Sequence, residues 1–139
     1  MSPAARSILL VEDNPDDVEL TMHALERHRL GGRLAVATDG AEALELLIGD
    51  GASRFAFVML DLKLPKISGH EVLERVRANA LTGTLPVIIL TSSSQREDMI
   101  ESYNTGANSY IRKPVDSDQF SAAVGELGLY WAILNETPD

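Results

Sequence analysis

A chain of 139 residues with 45% hydrophobic content is long enough for one buried core and too short for two ordinary domains. The absence of cysteine excludes disulfides, thiolate metal sites and cysteine nucleophiles. A net charge of -9, from 21 acidic and 12 basic residues, sets the surface against nucleic acid and anionic lipid; lacking both a signal peptide and an apolar stretch of about 18 residues, the chain reads as cytoplasmic.

Met1 to Arg6 reads as a short disordered tail, after which strand-length apolar runs alternate with segments of helical spacing. The first run, Ile8 to Val11, precedes a helix marked by Asp16 near its cap and by a stripe of Val18, Met22 and Leu25. The second, Leu34 to Ala37, is followed by Asp39-Gly40 and a helix with Ala43, Leu44, Leu47 and Ile48 on its apolar face. The third, Phe57 to Leu60, leads into a helix carrying Val72, Leu73 and Val76. The fourth, Val87 to Leu90, leads into a helix with only Met99, Ile100 and Tyr103 on its apolar side before Gly106 stops it. The fifth, Ser109 to Ile111, precedes the longest helix, which starts near Asp116 and keeps Phe120, Val124, Leu127, Trp131 and Leu134 at helical spacing. Gly125 and Gly128 within it lower helix propensity by roughly 1 kcal/mol each relative to alanine. Continuous apolar runs suit strands covered on both faces, so the expectation is an α/β fold with a parallel sheet and helices on each side. One domain spans residues 1–139, with a core from about 7 to 125 and the last helix extending to about 134.

In an open parallel sheet, ligands bind beyond the carboxyl ends of the strands. Strand one ends in Glu12-Asp13, strand three in Asp61 and strand four in Thr91, while strand five is followed by Lys113-Pro114. Helix capping accounts for acids such as Asp16, Asp39 and Asp13. It does not account for Asp61, which lies between Leu60 and Leu62-Lys63-Leu64-Pro65, where no helix starts. Clustered carboxylates raise one another's pKa values unless a cation sits among them, and a hard divalent ion resolves this. Magnesium takes one or two carboxylates together with water and phosphate oxygens, so Glu12, Asp13 and Asp61 read as a Mg²⁺ site awaiting a phosphoryl group. Three carboxylates then balance a divalent ion and the Lys113 ammonium. A phosphoryl group would meet the metal on one side and Lys113 on the other, with Asp61 as nucleophile.

The series Ile8-Leu9-Leu10-Val11-Glu12-Asp13-Asn14-Pro15-Asp16-Asp17, Leu60-Asp61-Leu62-Lys63-Leu64-Pro65, Leu90-Thr91-Ser92-Ser93 and Lys113-Pro114 resembles the motif series of response-regulator receiver domains. The resemblance implies a doubly wound, flavodoxin-like receiver fold with five helices and strand order 2-1-3-4-5. It also implies that a partner histidine kinase phosphorylates Asp61 using Mg²⁺. In the roles it assigns, Glu12 and Asp13 are the acidic metal-binding pair and the backbone carbonyl of Lys63 is the third protein ligand. Thr91 is the switch hydroxyl, Tyr110 the switch aromatic and Lys113 the phosphate-pairing lysine. The Lys113–Pro114 bond is expected to be cis, which is inexpensive only before proline. More narrowly, Asn14-Pro15-Asp16-Asp17, Leu64-Pro65-Lys66, the segment Tyr103 to Tyr110 and the Trp131 tail resemble small regulators paired with bacterial phytochrome kinases, which are similar in lacking an output domain.

Under this reading, phosphorylated Asp61 draws Thr91 inward, Tyr110 follows, and the surface of helix four, strand five and helix five is the bistable element. Lys63, where many receivers carry a neutral or acidic residue, is expected to alter the lifetime of the aspartyl phosphate. Tyr130, Trp131, Ile133 and Leu134 place apolar groups on more than one face of the last helix, which points to a homodimer there or to kinase docking. The phosphorylated form would signal by protein binding, through a downstream phosphotransfer protein or as a phosphate sink. Flavin binding is disfavoured by the acidic loop after strand one, and a nucleotide hydrolase by the lack of a glycine-rich phosphate loop. An aspartate-nucleophile phosphatase would want a general acid where Lys63 stands. The remaining rival is a receiver-like module that binds proteins without being phosphorylated.

Overall fold

Along the chain, β1 (Ser7–Val11), α1 (Pro15–Glu26), β2 (Leu34–Ala37), α2 (Gly40–Leu47), β3 (Phe55–Leu60), α3 (Gly69–Ala78), β4 (Val87–Thr91), α4 (Arg96–Thr105) and β5 (Ser109–Arg112) alternate strictly. The computed structural model describes residues 6–27, 29, 34–48 and 54–113, together with 118, 122 and 126. The five strands pair in parallel in the order β2-β1-β3-β4-β5, the topology that the resemblance implies. Of the expected fifth helix, Asp118, Ala122 and Glu126 are helical and exposed. The rest of it, including Trp131, lies outside the described residues, as does the Lys113–Pro114 bond.

Each strand divides its side chains between two layers, because successive residues of a strand point to opposite faces. Leu9, Val11, Val58, Leu60, Val87 and Ile89 join Ala43, Leu47, Val72, Leu73 and Val76 in the core under α2 and α3. Ile8, Leu10, Phe57, Met59, Ile88 and Leu90 join Ala24 and Leu25 of α1 in the other. β3 is buried along its whole length, and it begins at Phe55, two residues earlier than the apolar run suggests.

The helix starts are set by side-chain caps. Asn14, not Asp13 or Asp16, caps α1: its carboxamide oxygen accepts from the Asp16 N–H at 2.9 Å, and Pro15 occupies the first turn. Asp39 caps α2 by accepting from Glu42 N–H at 2.8 Å, as expected, and Ser68 caps α3. Ile48 ends α2 and stands exposed, so it does not belong to that helix's buried face. The expected apolar side of α4 is also not buried. Ile100 and Tyr103 are 47% and 48% exposed, and the buried residue of this helix is Ser102.

α4 ends at Gly106, whose φ of 114° lies in the left-handed region that glycine adopts freely. This corner is fastened by Arg77 of α3. Its guanidinium donates to the carbonyls of Gly106 at 2.9 Å and Leu85 at 2.7 Å and to Asn108 Oδ1 at 2.9 Å, all uncharged acceptors.

Gly69 fixes the loop that follows β3. Its N–H donates to the Leu62 carbonyl at 2.9 Å, and a Cβ there would lie 2.1 Å from the Asp61 carbonyl oxygen and 2.6 Å from Leu62 Cα. Gly69→Ala is therefore expected to destabilise the protein by at least about 2 kcal/mol, read by urea denaturation, because backbone rather than a flexible side chain must yield.

Candidate functional site

The strand register builds the site. Val11 pairs with Leu60, and the ladder continues one residue further: Asp61 N–H donates to the Val11 carbonyl at 3.1 Å and Lys113 N–H to the Thr91 carbonyl at 2.6 Å. Glu12, Asp61 and Lys113 share the strand parity of Leu10, Met59 and Ile111, which face the α1 layer. Thr91 and Tyr110 have the opposite parity and face the α2 and α3 layer. The alternation of the sheet thus places three charged groups on one side and the hydroxyl and aromatic residues on the other.

On the charged side, the Lys113 ammonium bonds to Glu12 Oε1, to Asp61 Oδ2 at 3.1 Å and to Asp17 Oδ2 at 3.0 Å. Glu12 is 1% and Asp61 7% exposed, whereas Asp13 is exposed. Carboxylate oxygens of Glu12, Asp13 and Asp61 lie within 4.8 Å of one another. Backbone N–H groups complete the setting, Asn14 donating to Glu12 Oε2 at 3.2 Å and Lys63 to Asp61 Oδ1 at 3.4 Å.

Among the described residues, three carboxylates bond the ammonium, from Glu12, Asp17 and Asp61, and that of Asp13 lies within 4.8 Å of those of Glu12 and Asp61. Burial pushes Glu12 up to about 7, and the Asp61 charge adds to the rise that the Lys113 hydrogen bond partly offsets. For Lys113, burial works against the charge, but the bonds to Glu12 and Asp17 outweigh it and raise its pKa above the ordinary lysine value. Such an oxygen-rich, anion-excess pocket, with one exposed carboxylate for entry, fits a hard divalent cation.

On the opposite layer, Thr91 is fully buried and its Oγ1 accepts from the Ser93 N–H at 3.2 Å. Tyr110 packs inward against the core under α2 and α3, and its hydroxyl is buried with no hydrogen-bond partner among the described residues. Burial pushes the phenol up. Ser93 is close by, but its hydroxyl donates to Asp98 Oδ2 at 2.5 Å instead. Sequence reasoning pictured Tyr110 turning inward as a later event, whereas here the ring already lies inward. Lys63 is exposed.

Two features escaped the sequence reading. Asp17 enters the charged cluster from the first turn of α1, where an acid is routinely explained by the helix dipole. A second group joins α3 to α4: His70 Nε2 lies 3.3 Å from Asp98 Oδ1 and 3.5 Å from Glu101 Oε2. The Ser93 hydrogen bond, opposed by burial and helped by His70, holds Asp98 below the usual carboxylate range. Only the i, i+3 spacing of Asp98 and Glu101 hinted at a shared partner.

The family model for the response regulator receiver domain matches residues 8–125. The response regulator Rcp1 of Synechocystis sp. is 32% identical over 128 residues, 89% of this chain and 87% of Rcp1. A solved structure of the Mn²⁺-bound form of Rcp1 matches with a TM-score of 0.84 at 30% identity, covering 96% of this chain and 99% of that one. The phosphorylated cyanobacterial phytochrome response regulator RcpA matches at 0.85 with 31% identity, over 96% and 99% of the two chains. The bacteriophytochrome response regulator RtBRR matches at 0.73 with 47% identity, over 96% and 84%.

The Glu12 shift sets a pH dependence. A carboxyl group whose folded pKa lies near 7 rather than 4.5 binds its proton more tightly in the folded state. Its contribution to stability is full below pH 4.5 and is lost as pH rises through 7. In chelator, the melting temperature is expected to fall across this window by more for the native chain than for Glu12→Gln, and millimolar Mg²⁺ is expected to remove most of the difference. Differential scanning calorimetry at several pH values checks it.

Proposed function

Because the chain belongs to the response-regulator receiver family, we propose that it is a phosphoacceptor switch whose Asp61 takes a phosphoryl group from a partner histidine kinase in the presence of Mg²⁺. The observation that carries this reading is the buried Asp61 carboxylate, 3.1 Å from the Lys113 ammonium and grouped with the Glu12 and Asp13 carboxylates at the carboxyl edge of the sheet. In the transfer, an Asp61 carboxylate oxygen bonds to phosphorus. The bond from phosphorus to the donor's nitrogen or oxygen breaks, and the donor keeps its electron pair. Lys113 neutralises charge on the transferring oxygens. Glu12, Asp13, Asp61 and the Lys63 backbone carbonyl are the ligands we assign to Mg²⁺, which neutralises phosphoryl charge when bound.

The whole chain, residues 1–139, acts as one receiver unit in this proposal, signalling by protein contact or phosphorelay. Thr91 senses the phosphoryl group from the end of β4 and Tyr110 reports it from the paired strand β5, both with buried hydroxyls. A bacterial phytochrome kinase is the partner class best supported, since the similar RcpA and RtBRR are phytochrome response regulators. The half-exposed Ile100 and Tyr103 make the α4 and β5 face the surface for a homodimer or a downstream protein.

The test uses acetyl phosphate, in which phosphorus passes to Asp61 and acetate leaves. With Mg²⁺ the native protein is expected to gain the mass of one phosphoryl group, reversed by hydroxylamine, and Asp61→Asn is expected to gain none. A native chain that stays unmodified would favour the rival reading, a receiver-like module that binds proteins without phosphorylation.

A further inference from the structure

The Lys113 ammonium carries three protons, and all three are committed, to Glu12, Asp17 and Asp61. A phosphoryl oxygen arriving on Asp61 can gain this lysine only if one of the three carboxylates lets go. The three are not equivalent. Glu12 and Asp61 have side chains 2% and 9% exposed, so in the metal-free site releasing either leaves a carboxylate short of partners. Once both are taken as Mg²⁺ ligands, Asp17, which is outside that ligand set, is the carboxylate left on the lysine. The Asp17 side chain is 29% exposed and sits in the first turn of α1, where water replaces the lost bond. Asp17 is also the only one of the three that belongs to a helix rather than to a strand end.

We propose that Asp17 is a positioning residue that holds Lys113 away from the incoming phosphoryl group and must be exchanged for it, so that its charge slows phosphorylation of Asp61. The proposal rests on the phosphoacceptor reading of Asp61 but concerns a contact that exists before any phosphoryl group arrives. Replacing Asp17 by asparagine turns a charge-assisted hydrogen bond into a weaker neutral one, which loosens the hold on one ammonium proton and lowers the negative potential met by the phosphoryl group. Replacing Asp17 by glutamate keeps the charge and lengthens the tether.

Two measurements on the full chain test it, with Asp17→Asn and Asp17→Glu compared against the native protein. The first needs no metal: acetylation of Lys113 by acetic anhydride at fixed pH in chelator, quantified by peptide mass spectrometry. Asp17→Asn is expected to raise the Lys113 labelling rate about threefold or more, with neighbouring surface lysines unchanged and Asp17→Glu near the native rate. The second is the rate of phosphorylation by acetyl phosphate at saturating Mg²⁺, expected to rise roughly three- to tenfold in Asp17→Asn and to return towards native in Asp17→Glu. Unchanged Lys113 labelling, or an equal or slower phosphorylation rate in Asp17→Asn, overturns the proposal. If the native protein takes no phosphoryl group, the phosphoacceptor reading fails, while the labelling comparison still decides whether Asp17 holds Lys113. A purely structural role in α1 would change melting temperature without this Lys113-specific change and without rescue by glutamate.

Discussion

Lys113 follows β5, and among the described residues its ammonium is the one positive side chain bonded to Glu12, Asp17 and Asp61, beside which Asp13 lies. Everything at the carboxyl edge depends on that contact. Without it the buried acids of β1 and β3 would repel one another across a distance fixed by strand pairing, since Asp61 N–H is tied to the Val11 carbonyl. The lysine therefore lets the sheet close while leaving more anionic than cationic charge in the pocket. That surplus is what gives a divalent cation a reason to bind.

The period of two along each strand separates the acidic pocket from the buried Thr91 and the inward-packed Tyr110. Glu12, Asp61 and Lys113 continue the rows that face α1, whereas Thr91 and Tyr110 continue the rows that face α2 and α3. The backbone of β4 and its following loop is the covalent link between the two sides. The Ser93 N–H to Thr91 bond and the Ser93 hydroxyl to Asp98 bond form a short chain from the end of β4 to the first turn of α4. Only the thickness of one strand separates the two layers.

Much of this was legible in the sequence for identifiable reasons. Doubly covered strands demand continuous apolar runs, which mark β1, β3 and β4, while the edge strands β2 and β5 are only partly buried and were recognisable by their place in the alternation. The parallel register then brings Glu12, Asp61, Thr91 and Lys113 to one edge. What stayed hidden depends on how helices sit on the sheet. Asp17 looks like any acid in a first helical turn, and only the packing of α1 over the parity row of Asp61 and Lys113 turns it towards the lysine. Asn14 outcompeted its acidic neighbours as a cap because Pro15 supplies the first helical residue immediately after it. The apolar residues of α4 misled for a related reason. Ile100 and Tyr103 follow helical spacing, yet the helix turns Ser102 to the core and binds α3 through His70, Asp98 and Glu101.

The Arg77 corner gives α4 a mechanical character. Its carboxyl end is nailed to α3 by a guanidinium whose acceptors are backbone carbonyls and an amide, none of which ionises near neutral pH. Its amino end is held instead by a serine hydroxyl, a histidine and two carboxylates, bonds that solvent, ionic strength and protonation all modulate. A rod fixed at one end and tied by adjustable cords at the other behaves as a crank arm with its pivot at Gly106. Any displacement started near Ser93 is then largest at the amino end of α4 and fades towards Gly106, so a partner gripping Ile100 and Tyr103 would sense rotation of the rod rather than its translation.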